Sequence, residues 1–156
     1  MDNNVFINHL FHCLSFVFTL VVFSVAFGGL LSLSPVRKKL SAQAYTEVQQ
    51  LFIKAVDPVM KASYPIALIS SLVVVYLVRH EGRAFGLSLA GFLLLLVAFI
   101  VTMAVDLPLN KRFLSWDKAN PPADWQAVRT RWENMNVLRA VLLLASVVCL
   151  YLSILL

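Results

Sequence analysis

The chain has 156 residues, 60% of them hydrophobic and only 13% charged, with a mean hydropathy of +0.83. A soluble domain carries about 25% charge, so an ordinary water-soluble globule is excluded, and a chain this rich in Leu, Val and Phe is not a solvated disordered segment either. The net charge of +5 comes from basic residues that flank apolar runs, which points to orientation in a membrane and not to nucleic acid.

Residues 5–33 contain no Lys, Arg, Asp or Glu. The run exceeds what a hydrocarbon core of about 30 Å requires at about 1.5 Å per residue. The head Met1-Asp2-Asn3-Asn4 has no positive charge, and the apolar stretch is longer than a signal-peptide core, so this first span is expected to stay in the mature chain. Residues 41–61 follow as an amphipathic helix. Glu47, Gln50, Lys54, Asp57 and Lys61 fall on one face and Tyr45, Val48, Phe52, Val56 and Val59 on the other. It is expected to run directly into the second span, 62–78, with bending near Pro58 and Pro65, where proline removes a backbone donor. The third span is 84–105. After it, Pro121-Pro122 interrupts the chain and Asp124 is expected to cap a helix that leads into the fourth span, 137–156. The whole reads as one all-α, polytopic membrane domain, a four-helix bundle in which helices 2 and 4 extend on the cytoplasmic side.

The basic residues set the expected orientation. Arg37, Lys38, Lys39, Lys54 and Lys61 follow span one, and Lys111, Arg112, Lys118, Arg129 and Arg131 follow span three, against Arg79 and Arg83 in the loop between spans two and three. The positive-inside bias then puts the long connections in the cytoplasm and both termini outside, on the periplasmic side of a cell membrane. Pro35-Val36-Arg37-Lys38-Lys39-Leu40-Ser41 aligns, with one inserted residue, to Pro108-Leu109-Asn110-Lys111-Arg112-Phe113-Leu114-Ser115. Either the two helical hairpins are parallel repeats, or two helices leaving a membrane share the same kind of flank.

Chemistry concentrates between Asp106 and Arg139, which holds Trp116, Trp125 and Trp132, every Trp of the chain. Interfacial anchoring is one explanation for them. Trp132, Asn136 and Arg139, however, lie on one helix face that points into the start of a span, where polar groups need a partner or a cavity. A lined pocket follows from that. Gln49 sits on the flank of the apolar face and is expected to point inward, and Asp106 is positioned to pair with Arg139. Arg37 to Lys39, Lys54 and Lys61 read as a solvated or headgroup face. His9, His12 and His80 have no metal-ligand spacing, so no haem or metal site is expected from them. Cys13 and Cys149 read as buried thiols, bridged only if their helices touch.

Several stretches together resemble the anthrone oxygenase family of small four-span membrane proteins: Leu107-Pro108-Leu109-Asn110, Trp116-Asp117, Pro121-Pro122-Ala123-Asp124-Trp125, Arg131-Trp132 and Asn136 to Arg139. Gln49-Gln50-Leu51-Phe52 and Asp57-Pro58-Val59-Met60 are similar to that family's second helix. The resemblance implies a four-helix bundle. For fungal relatives it implies oxidation of a tricyclic anthrone to an anthraquinone by dioxygen, with no cofactor known to be required. Carried over, Trp132 and Trp125 stack on a flat substrate, with Trp116, Asn110 and Gln49 around it, while Asn136, Asn110 and Arg139 hydrogen-bond a developing enolate oxygen. Asp106 is then the candidate base, because Asn136, which stands where many relatives carry His, cannot titrate. Two rivals keep the same pocket without this chemistry: a non-enzymatic binding or accessory protein for a lipid or quinone-like molecule, and a small transporter. The expected partners are the bilayer and a hydrophobic small molecule, and a bundle this small is compatible with a homo-oligomer.

Overall fold

The computed structural model describes residues 3–156. Met1 and Asp2, half of the head that argues against a signal peptide, lie outside the described residues. The described residues are all-helical, without strands, and four helices are long and apolar enough to cross a membrane. Helix α1 (Asn3–Gly28) continues through a π turn (Gly29–Leu33) into the short α2 (Ser34–Arg37). After a tight connection comes α3 (Ala42–Leu77), then α4 (Gly82–Val101), a second π turn (Thr102–Asp106), α5 (Leu107–Leu114) and α6 (Trp125–Ile154).

Both π turns precede a proline. Pro35 and Pro108 are each the second residue after the widened turn. A proline ring collides with the carbonyl four residues back, and a turn closed by i→i+5 bonds moves that carbonyl aside. The helix therefore continues instead of ending at the proline. In α3, Pro58 and Pro65 are taken up within one uninterrupted helix of 36 residues. At about 1.5 Å per residue α3 is roughly 54 Å long, well beyond a hydrocarbon core of about 30 Å, so one end projects past the spans.

The helices pack as a square in which α3 and α6 each touch α1 and α4, and the α3–α4 side has the least extensive contact. The core between them joins Val22, Ala26, Tyr64, Ala67, Leu95, Ala98, Ala140 and Leu143. Alanine recurs on all four helices because lipid supplies no hydrophobic drive between helices, and close backbone approach has to provide the attraction. Large side chains such as Ile69, Tyr76, Val141 and Leu152 face outward, as a bilayer requires. The α4–α6 contact is close and includes polar groups. Ser88 and Ser153 hydroxyls meet at 2.6 Å, and Ser146 Oγ donates to the Gly91 carbonyl at 2.7 Å. A Cβ on Gly91 would lie 2.9 Å from Leu150 Cγ and 3.3 Å from the Ser146 carbonyl oxygen. Gly91→Ala is accordingly expected to lower stability by about 1–3 kcal/mol through overpacking. Gly86→Ala, with nothing within 4 Å of its Cβ, should cost nothing. Thermal melts of the two variants in one detergent check this, and equal melting temperatures would contradict the close approach.

Three local expectations are corrected. Gln50, assigned to the polar face of 41–61, is buried, with its amide donating to the carbonyls of Phe113 and Trp116 at 2.9 and 3.0 Å; the end of α5 leaves orphan acceptors that this side chain satisfies. Asp124 stands at the head of α6 but makes no side-chain cap bond; its carboxylate pairs with Arg112 instead. Ser41 does cap, accepting from the Ala44 amide at 3.3 Å. Cys13 and Cys149 are both free thiols, but Cys13, expected to be buried, is exposed on the outer side of α1.

Candidate functional site

The widened turn at Thr102–Asp106 puts a carboxylate inside the bundle. Asp106 is 1% exposed, and its Oδ2 accepts from Arg139 Nη1 at 2.6 Å. Arg139, on the inner face of α6, donates through Nη2 to Asn136 Oδ1 at 2.7 Å, and Asn136 Nδ2 donates to the Ala26 carbonyl at 3.1 Å. The chain of bonds ties α1, α6 and the π turn together. It meets the requirement that a charge at membrane depth be paired. Arg139 Nε and Asp106 Oδ1 are left without a protein partner.

Beside this network lies a cleft of about 280 Å³ between α3 and the α4–α5 segment, with α6 as its floor. That size is near the lower end of the roughly 300–1,000 Å³ usual for small-molecule sites. Trp132, Phe52 and Phe99 supply aromatic walls, and Arg139, Asn110, Tyr64, Thr102, Asp57 and Lys61 supply polar groups. Trp132 Nε1 donates to Asn110 Oδ1 at 3.0 Å, which fixes the indole and leaves the Asn110 amide group free to donate. Phe52 stands edge-on to Trp132, with ring centroids 6.3 Å apart. Tyr64 Oη and Thr102 Oγ1 are 3.0 Å apart, and Thr102 Oγ1 donates to the Ala98 carbonyl at 2.9 Å, so the shared proton between the two hydroxyls comes from the tyrosine. Asp57 and Lys61 pair at 2.6 Å at the rim, with side chains 41% and 72% exposed.

Of the residues singled out from sequence, Trp132, Asn110 and Arg139 line this cleft. Asp106 and Asn136 stand behind Arg139 and hold it. Gln49, Trp125 and Trp116 lie elsewhere. Gln49 is fully buried with neither amide atom bonded, Trp125 packs 5.5 Å from the Tyr45 ring, and Trp116 stands 4.7 Å from Phe113. Asp57 and Tyr64 were missed. Asp57 was hidden among the charged residues of an amphipathic helix, and a tyrosine within a span carries no distinguishing signal. The expectation for Arg37 is overturned: it is not on a headgroup face but has 0% exposure. Its guanidinium rests over the rings of Phe52 at 4.5 Å and Trp132 at 5.2 Å. Among the histidines, His12 is buried with Nδ1 2.9 Å from the Asn8 carbonyl, while His9 and His80 are exposed. No group of three or more His, Cys, Asp or Glu side chains gathers among the described residues.

The chain has no match among curated proteins or among solved structures. A family model does match, that of anthrone oxygenase, over residues 49–149. The matched segment is well over half of the chain and holds the cleft wall on α3, both partners of the buried ion pair and the inner face of α6. By that match, the protein belongs to the anthrone oxygenase family.

Proposed function

We propose that this membrane protein oxidises a flat, electron-rich aromatic of the anthrone class, or a quinol of similar shape, with dioxygen. The observation that carries the reading is the cleft itself, where an indole wall stands next to a guanidinium and an amide with unused donors. A tricyclic ketone presents a π face and one carbonyl edge, and these groups are its complement. In this reading the ring system lies against Trp132 and Phe52, and Arg139 and Asn110 hydrogen-bond the ketone oxygen as it becomes an enolate. Asp106 and Asn136 orient Arg139. Asp57, the carboxylate among the lining residues, takes the proton from the reactive methylene. The electron-rich carbon of the anthrone then reduces dioxygen: one anthrone and one dioxygen give the quinone and one water, the methylene becoming a carbonyl, whereas one quinol and one dioxygen give the quinone and hydrogen peroxide. The protein's share is to form the carbanion, stabilise its charge and keep bulk water from the ring. The basic connections lie in the cytoplasm in this reading, which gives the rim at Asp57 and Lys61 a path for the proton.

The test is the purified chain in neutral-lipid nanodiscs with anthrone, followed by an oxygen electrode and by quinone absorbance. The expected result is quinone formed one for one with oxygen consumed, at least about 100-fold faster than the spontaneous reaction. Saturable binding without turnover would instead favour a binding protein that uses the same cleft. Absence of both would remove the reading.

A further inference from the structure

Arg37 heads the fully buried side chains by size. Its Nε, Nη1 and Nη2 have no hydrogen-bond partner, and among the described residues no carboxylate pairs with it. The faces of Phe52 and Trp132 attract it, but cation–π attraction is small beside the cost of desolvating an ion. Its other neighbours are equally unsatisfied. Tyr45, Gln49 and Phe52 occupy one face of α3 at successive turns. Arg37 rests on the Phe52 end of that face, and Tyr45 and Glu133 are the titratable groups in its surroundings. Tyr45 and Gln49 both have 0% exposure, and the Tyr45 hydroxyl and both amide atoms of Gln49 lack partners. Three fully buried polar side chains without partners, two on one face of α3 and the third resting on an aromatic ring of that face, are far from the native rule that such groups are bonded.

Their chemistry defines the missing complement. A planar N–H fork, a phenol O–H and an amide NH2 are donors that an oxyanion accepts from, and a second guanidinium, that of Arg129, lies 5.9 Å from the Tyr45 ring centroid. Glu133, with one buried and unbonded carboxylate oxygen, stands beyond ion-pair distance of Arg37 and opposes an anion there. None of Arg37, Tyr45 and Gln49 lines the cleft. Phe52 and Trp132 separate the two places, presenting to the cleft the same rings on which Arg37 rests.

We propose that Arg37, Tyr45 and Gln49 form a second, enclosed site that binds a small oxyanion, a carboxylate or phosphate group, behind the aromatic wall of the cleft. Exposed Lys38 and Lys39 next to Arg37 attract such groups from solution or from an acidic lipid headgroup.

The test uses the full chain and its own indoles, since Trp132 lies beside Arg37 and Trp125 beside Tyr45. Tryptophan fluorescence is titrated with acetate, phosphate or chloride at constant ionic strength in phosphatidylcholine nanodiscs. The expected result is a saturable response to acetate or phosphate and none to chloride. Arg37→Gln should weaken it at least about tenfold, Arg37→Lys less, and Glu133→Gln should tighten it severalfold by removing the opposing charge. The titration is repeated in nanodiscs containing phosphatidic acid. Loss of the free-anion response there identifies a lipid headgroup as the source, and persistence identifies a soluble anion. Lack of any saturable response in both lipids overturns the proposal, as does an equal response to chloride. Weaker binding in Glu133→Gln also overturns it, because Glu133 would then be the resident counter-ion. Arg37→Lys and Glu133→Gln keep the test decisive if Arg37→Gln does not fold. The readout involves no turnover, so failure here leaves the oxygenase reading standing.

Discussion

Arg139→Met is expected to destabilise the bundle by about 3–5 kcal/mol, because it strands the Asp106 carboxylate in the interior. That carboxylate is 1% exposed and bonded at 2.6 Å to the guanidinium that the substitution removes. Asn136 loses its acceptor role toward Arg139 at the same time. Neutralising the stranded acid by taking up a proton limits the loss, so the lower end of the range is the better expectation in lipid. The double variant Asp106→Asn/Arg139→Gln removes both charges and, although Gln is shorter than Arg, should recover part of the stability. A double-mutant cycle on unfolding free energies isolates the pair. A coupling near zero would mean that the two groups do not act as a unit. Since Arg139 also lines the cleft, the proposed reaction predicts a double variant that folds and yet lacks oxygenase activity, which would separate holding the bundle from stabilising the enolate.

Asp57→Asn should lower the rate of anthrone oxidation by about 10²–10⁴-fold, the usual contribution of a positioned base, with substrate affinity nearly kept. Its ion pair with Lys61 is an exposed i,i+4 contact, worth about 0.3–0.5 kcal/mol, so melting temperature should barely move. Without oxygen, wild type should build up the coloured enolate and Asp57→Asn should not; absorbance in an anaerobic cuvette reads this directly. Full turnover in Asp57→Asn would assign the proton to another acceptor, and the unbonded Oδ1 of Asp106 is the next to test.

Much of the architecture was legible because a span is a run of composition, which needs no tertiary information. The Asp106–Arg139 pair was legible for a related reason: two opposite charges at similar depth in apolar helices have few other partners. The inner face of α6 was readable because that helix keeps one period from Trp132 to Arg139. Arg37 was not readable. It sits in an Arg-Lys-Lys run that looks like a headgroup anchor, and the π turn at Gly29–Leu33 shifts the helical phase by one residue, so periodicity counted from span one assigns it the wrong face. Gln50 failed for a different reason, since its partners are carbonyls at the end of α5, more than sixty residues away in sequence. A pattern along one helix cannot announce acceptors on another.

The cleft reaches the surface between α3 and α4, where two of its lining residues, Pro65 and Met103, are exposed within the spans. On the proposed reading, its mouth admits substrate from the acyl chains as well as from the charged rim. A molecule entering by that route is counted by its mole fraction in the bilayer and not by its molarity in the tube. Adding inert lipid at fixed total substrate would then slow turnover by surface dilution, and an apparent KM would have meaning only with the lipid content stated.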